Sequence, residues 1–179
     1  VRFLRRIVDD GSAAAVFCKM LPYDGTPIKE TLMAQGRFNG DVCNPDYDFL
    51  DPRIARCYEA IGRTVGEWVR GSDCVAAMIN HAWHEVFVME RLFEPAADLV
   101  AYKTALSAVT KFSNNILFSV VEEICDGFRE GGGECQQYSG LGQIREQILA
   151  TLVQQRNRFV YENQSWLLKG ISKQTLVTA

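Results

Sequence analysis

The stretch Asp51-Pro52-Arg53-Ile54-Ala55-Arg56-Cys57-Tyr58-Glu59-Ala60-Ile61-Gly62-Arg63-Thr64-Val65-Gly66-Glu67-Trp68-Val69-Arg70-Gly71 decides the fold class. It opens on a capping acid followed by proline, whose missing N–H costs nothing at the first helical position. Ile54, Cys57, Tyr58, Ile61, Val65, Trp68 and Val69 then recur with the helical period, and Gly71 can end the run. The spacing predicts an amphipathic helix with a broad apolar stripe.

The same pattern continues outward. Ser72 or Asp73 is expected to cap a helix striped by Val75, Met78, Ile79, Ala82, Trp83 and Val86, with Glu90 in line. Val86-Phe87-Val88-Met89 is apolar on every face, as a turn enclosed on several sides would be. Glu94-Pro95 marks a boundary, and Asp98 can cap the longest pattern, from Tyr102 and Leu106 through Val109, Ile116, Leu117, Val120 and Ile124 to Phe128. Gly131, Gly132 and Gly133 stop it. A further helix carries Ile144, Ile148, Leu149, Leu152, Val153, Phe159 and Val160, and Ser165 is a candidate cap for a short piece through Trp166-Leu167-Leu168.

Upstream, Phe3, Leu4, Ile7 and Val8, then Val16, Phe17, Met20 and Leu21, predict helix over residues 1–21 with a break at Gly11-Ser12. Residues 22–51 are irregular, punctuated by Pro22, Gly25, Pro27, Gly36, Gly40 and Pro45, with room for a short helix at Ile28–Gln35. No stretch alternates as a strand would. The expectation is an all-α globular bundle of about six to eight helices with a buried central helix, in a single domain over residues 1–179.

Composition narrows the function classes. The chain of 179 residues is 47% hydrophobic and 23% charged, enough to bury a core. A net charge of −3, with basic residues scattered except at Arg2, Arg5 and Arg6, argues against nucleic acid as the main partner. No apolar run reaches the roughly 20 residues that span a bilayer, so no integral membrane segment is expected. The six cysteines, at 18, 43, 57, 74, 125 and 135, include no C-x-x-C pair; reduced thiols in the cytoplasm are the expectation.

Candidate chemistry is sparse. His81 and His84, the only histidines, stand three residues apart and precede Glu85. They could serve a metal- or small-ligand-dependent enzyme, but His84 points away from the apolar stripe and no cluster supplies further ligands. Asp41, Asp46, Asp48 and Asp51 form an acidic loop in which only Asp46 and Asp48 have calcium-loop spacing; a solvated loop whose last acid caps a helix is preferred. Glu122-Glu123 splay about 100° apart on a helix and read as surface charge. Gly140-Leu141-Gly142 lacks the third glycine and the preceding strand of a dinucleotide loop, and the 131–133 glycines lack the Lys-Ser/Thr of a phosphate loop. No Gly-x-Ser-x-Gly occurs, and nothing local marks a Cys–His nucleophile. No catalytic residue, metal ion or cofactor is expected.

Asn80-His81-Ala82-Trp83-His84-Glu85-Val86-Phe87-Val88, followed by Phe128-Arg129-Glu130-Gly131-Gly132-Gly133, resembles the motifs of the Bcl-2 apoptosis-regulator family. There a Trp-Gly-Arg opens the buried central helix and a Gly-Gly-Trp follows. Tyr58-Glu59-Ala60-Ile61-Gly62-Arg63-Thr64-Val65 is similar to the family's third homology motif. The similarity covers roughly residues 54–138, with His84-Glu85 in place of Gly-Arg, Arg63 in place of an acid and Glu134 in place of the second motif's Trp. A second register places Trp68-Val69-Arg70 on Trp-x-Arg, with Leu32-Met33-Ala34-Gln35-Gly36 upstream.

Divergent viral members of the family lose most motif residues. The resemblance implies an interaction module that takes an amphipathic partner helix into a groove. Tyr58, Ile61, Gly62 and Val65 would form one wall, with Trp83 and Glu85 at the floor. The family's Arg pairs with an Asp of the ligand; Glu85 would prefer a basic one. A structural, homo-oligomeric helical subunit is the alternative.

Overall fold

The structure, a computed structural model, describes residues 1–93, 97–130 and 138–175, without the side chains at 97, 98, 170 and 172–175. Seven helices stand among the described residues: α1 Arg2–Ile7, α2 Pro27–Ala34, α3 Pro52–Val69, α4 Val75–Leu92, α5 Ala97–Arg129, α6 Leu141–Glu162 and α7 Gln164–Thr175. The only β pairing among them is a single bridge between Phe38 and Tyr47. The class is all-α, as the periodicity predicts, and no described helix is long and apolar enough to cross a membrane.

Helices α3 to α6 form the bundle. The 33-residue α5, about 50 Å long, packs against α3, α4 and α6, while α4 packs against α3, α5 and α6. Ala60, Val65 and Trp68 of α3 meet Val75, Ile79, Ala82 and Val86 of α4 and the Leu106-to-Ile124 stripe of α5 in one core, closed by Ile148, Leu152 and Phe159 of α6. Two polar contacts, one buried and one half-buried, fix the rotation of these helices. Trp68 Nε1 donates to Ser113 Oγ at 3.0 Å, and Trp83 Nε1 donates to Thr110 Oγ1 at 3.2 Å. Each satisfies an indole donor that burial would otherwise strand.

Helix ends follow local chemistry, with corrections. Asp51 accepts from the Arg53 amide at 2.8 Å, so the cap before Pro52 forms as expected. At α4 the cap is Cys74, whose Sγ accepts from the Ala77 amide at 3.4 Å; Ser72 and Asp73 lie in the preceding turn, displaced by one apolar residue that the core demands. Asp98 is no cap, because Ala97 is already helical. Nor is Ser165, since α7 begins at Gln164 and the Asn163 carbonyl accepts from Trp166 and Leu167. The boundary at Glu94-Pro95 and the 131–133 glycines lie outside the described residues.

The N-terminal expectation fails in an informative way. Only Arg2–Ile7 is helical. Residues 12–23 run extended as a strap across the bundle, and Ala15, Phe17 and Lys19 turn inward while Val16, Cys18 and Met20 face solvent, a period of two. The strap finds its backbone partners on a helix. Asn114 Oδ1 accepts from the Ala15 amide at 2.8 Å, and Asn114 Nδ2 donates to the Ala13 carbonyl at 2.9 Å. Gly11 starts the strap at φ 72°, close against the Ser107 backbone. Phe17 sets its edge on Phe118 with centroids 6.1 Å apart. Enclosure of the 86–89 turn is also partial: Val86 and Met89 are buried, whereas Phe87 is 56% exposed.

Candidate functional site

Between the second half of α4, the start of α5, the end of α6 and α7 lies a pocket of about 290 Å³. Its walls are Val88, Met89, Phe93, Tyr102, Phe159, Val160 and Leu167, with His84, Glu85 and Arg156 at the polar edge. The helical period puts Glu85, Val88, Met89 and Leu92 on one side of α4, and Arg156, Phe159 and Val160 on the facing side of α6.

The floor is aromatic and closely stacked. Tyr102 lies parallel to Phe159 with centroids 4.7 Å apart and rings 16° from coplanar. Phe159 meets Trp166 edge-on at 6.2 Å, and Trp166 tilts against Phe93 at 5.3 Å. Such stacking adds to area burial and holds the rings in place.

At the edge, Arg156 grips Glu85 in fork geometry: Nε lies 2.8 Å from Oε2 and 3.0 Å from Oε1, and Nη2 lies 2.8 Å from Oε1. Both partners are about half exposed, so the pair adds little stability; its geometry matters more. The hydrogen bond to Glu85 raises the Arg156 pKa. Burial, and then the negative charge of Glu85, pushes the Tyr102 phenol above its ordinary 10.0. Tyr102 is therefore a neutral hydroxyl at physiological pH. The arrangement can enclose an apolar side chain and offer, at the mouth, a cation–anion pair open to exchange.

The residues expected to form one groove are dispersed. Val65 is 3% exposed and belongs to the core, so it cannot wall an open groove. Ile61 is half-buried against the same core, and Gly62 lies beside the Arg70 guanidinium. Tyr58 lines a separate cleft with the strap and the 44–49 loop. Trp83 turns its indole N–H to Thr110 on α5, about 200° around α4 from Glu85. Only Glu85 reaches the pocket. Two near neighbours on α4, Trp83 and Glu85, that read as one surface thus serve opposite flanks.

The remaining candidates resolve individually. His84 lines the pocket, while His81 is exposed; among the described residues no three His, Cys, Asp or Glu side chains come together to hold a metal ion. The acidic loop is used internally. Asp41 accepts from the Cys43 and Asn44 amides, Asp48 from Asn39, Asp46 pairs with Lys19 and Asp51 caps α3. Glu122 pairs with Arg5 at 2.7 Å while Glu123 is exposed. Arg156 and Tyr102 are the site residues that sequence reasoning missed. The signal for Arg156 was faint: an acid on the more apolar half of α4 wants a cation, but Arg145, Arg156 and Arg158 compete for that role on α6.

No family model matches this chain, no curated protein matches it, and no solved structure matches its fold.

Proposed function

We propose that the protein is a non-enzymatic interaction module that binds an amphipathic helix, seating one apolar anchor of it in the pocket between α4, α6 and α7. The observation that carries this reading is where the pocket opens. Leu92, which continues the Glu85–Val88 row of α4, is 54% exposed; Val160 at the pocket's lip is 38% exposed; Leu168 and Ile171, one turn apart on α7, are 65% and 56% exposed. Apolar surface clustered around an apolar pocket, with a charged pair at the edge, is the composition of a protein-binding surface.

The resemblance to Bcl-2-family regulators supports the same mode of binding, with a different seat. In that family an arginine pairs with an aspartate of the ligand. Here Arg156 supplies a cation beside the pocket, and its Nη1 takes no part in the grip on Glu85. An acidic residue on the partner helix would engage that free edge. The finer reading is a regulator that sequesters death-promoting helices inside the cell. One buried anchor contributes about 1.5–3 kcal/mol, so micromolar binding, near 8 kcal/mol, requires the surrounding exposed residues as well.

The test is calorimetric titration with a panel of amphipathic helical peptides carrying an acid beside the central anchor. Binding at or below about ten micromolar is expected. Val160→Asp, at the lip, weakens it at least about tenfold, whereas Phe87→Asp on the other flank of α4 does not. No binding by any peptide at tens of micromolar would sink the reading. The structural-subunit alternative would then take its place, with the Leu168–Ile171 row as the contact that sedimentation of a Leu168→Asp variant probes.

A further inference from the structure

A second site lies away from this pocket. The strap, the 44–49 loop and the first half of α3 enclose a cleft of about 1020 Å³. Into it the chain inserts its own Lys19. The ammonium sits 4.4 Å from the centroid of the Tyr47 ring and 5.0 Å from that of Phe49. Phe49 in turn packs on Tyr47 at 5.6 Å and on Tyr58 at 5.7 Å, so three aromatic rings form a connected wall. The ammonium also bonds the Asp46 carboxylate and the Tyr47 carbonyl oxygen. Its side chain is 18% exposed.

A simple latch between strap and loop needs only the ion pair. Aromatic faces, a carboxylate and a carbonyl converging on one ammonium make a receptor for that group, because the ring quadrupoles and the two oxygens all favour a desolvated cation. The cleft is also much larger than a lysine head. Its walls carry Asp48 and Glu59 in addition to Asp46, against Lys19 as the single cation among the described residues that line it. Acids in excess favour a cationic guest.

We propose that this cleft is a binding site for an alkylammonium group, and that Lys19 is its internal occupant, displaced when a ligand enters. The exchange is charge for charge, so Asp46 is never left unpaired. The strap need not detach, because the Lys19 backbone is held separately: its amide donates to the Tyr58 hydroxyl at 3.1 Å. Only the flexible side chain has to swing out. Two sources share the chemistry, a small quaternary ammonium compound and a lysine side chain, free or N-methylated, on a basic peptide.

The experiment titrates the wild-type chain and Lys19→Ala with choline, with a peptide carrying trimethyl-lysine, and with the same peptide carrying neutral acetyl-lysine. Binding is read from the ring resonances of Tyr47 and Tyr58. The cations should bind Lys19→Ala about tenfold or more tighter than wild type, and adding Tyr47→Leu should lose that gain. The acetyl-lysine peptide should not bind. In the wild type, excess cation should shift the Lys19 ε-methylene signal as the side chain leaves, a readout that does not depend on the variant keeping its cleft open. Whichever cation binds more tightly identifies the source. If neither cation perturbs either protein, or if acetyl-lysine binds as well as trimethyl-lysine, Lys19 is a latch only and the proposal is wrong.

Discussion

Single side chains on α5 do work that its helical pattern does not announce. Ser113 is 2% exposed and accepts the Trp68 indole N–H. Ser113→Ala would strand that donor in the core, at a cost of about 1–3 kcal/mol, visible as a lower urea midpoint with unchanged slope. Asn114 substitutes for a neighbouring strand, offering one acceptor and one donor to the strap. Asn114→Ala should speed amide exchange at Ala15 far more than exchange within α4, because local opening of the strap does not require the bundle to unfold. Gly11 lies at φ 72°, and a Cβ there would sit 2.5 Å from the Ser107 carbonyl oxygen. Gly11→Ala therefore combines left-handed strain of about 1–2 kcal/mol with a backbone clash. Thermal unfolding would show a lower midpoint than for Gly25→Ala, whose Cβ meets open space.

Between elements, the pair that joins α4 to α6 separates stability from binding. Glu85 and Arg156 are 40% and 51% exposed, so Glu85→Gln should change stability by only about 0.2–1 kcal/mol. On the proposed function, the same change leaves Arg156 without its counter-charge and tightens binding of peptides whose anchor is flanked by an acid. Parallel urea melts and peptide titrations check both halves, and a large stability loss without any change in binding would assign the pair to architecture alone. The α3 stripe teaches the complementary lesson. Its width suggests a surface left for a partner, yet α4, α5 and the strap cover most of it, leaving Ile54 51% exposed at the helix start. A charged residue at Val65 would unfold the protein rather than probe a groove.

At the scale of the molecule, paired carboxylates set the acid limb of stability. Asp46 is held below its ordinary 3.8 by the hydrogen bond from Lys19, Asp10 by those from Ser12, and Glu122 below 4.5 by that from Arg5. Each is depressed in the folded state. Its contribution is therefore complete above the ordinary value and is lost as pH falls through the lower folded value. Melting temperature should hold from neutral pH to about 5 and fall below about 4, less steeply in Glu122→Gln. Tyr102 acts at the other limit. Its folded pKa is raised above 10.0, so its contribution is present below 10 and lost as pH rises past the folded value; Tyr102→Phe should flatten the alkaline limb.

Helices α3 to α6 are legible in the chain alone, because each carries its own 3.6-residue apolar repeat and Asp51-Pro52 is a start signal for α3. These are local properties, set by backbone sterics and by which face of a helix is apolar. Residues 15–20, apolar except at Lys19, carry no period of their own, since a short apolar segment fits both helix and strand and only a partner decides between them. The tertiary structure supplied that partner in Asn114. It also decided both candidate sites. Arg156 meets Glu85 across 71 residues and Lys19 meets Asp46 across 27, and such pairings depend on how helices and loops are rotated against each other in the packed core. Nothing in the local sequence distinguishes Arg156 from Arg158, or Lys19 from Lys29. Only burial of the surrounding faces does, because it leaves one cation within reach of each acid.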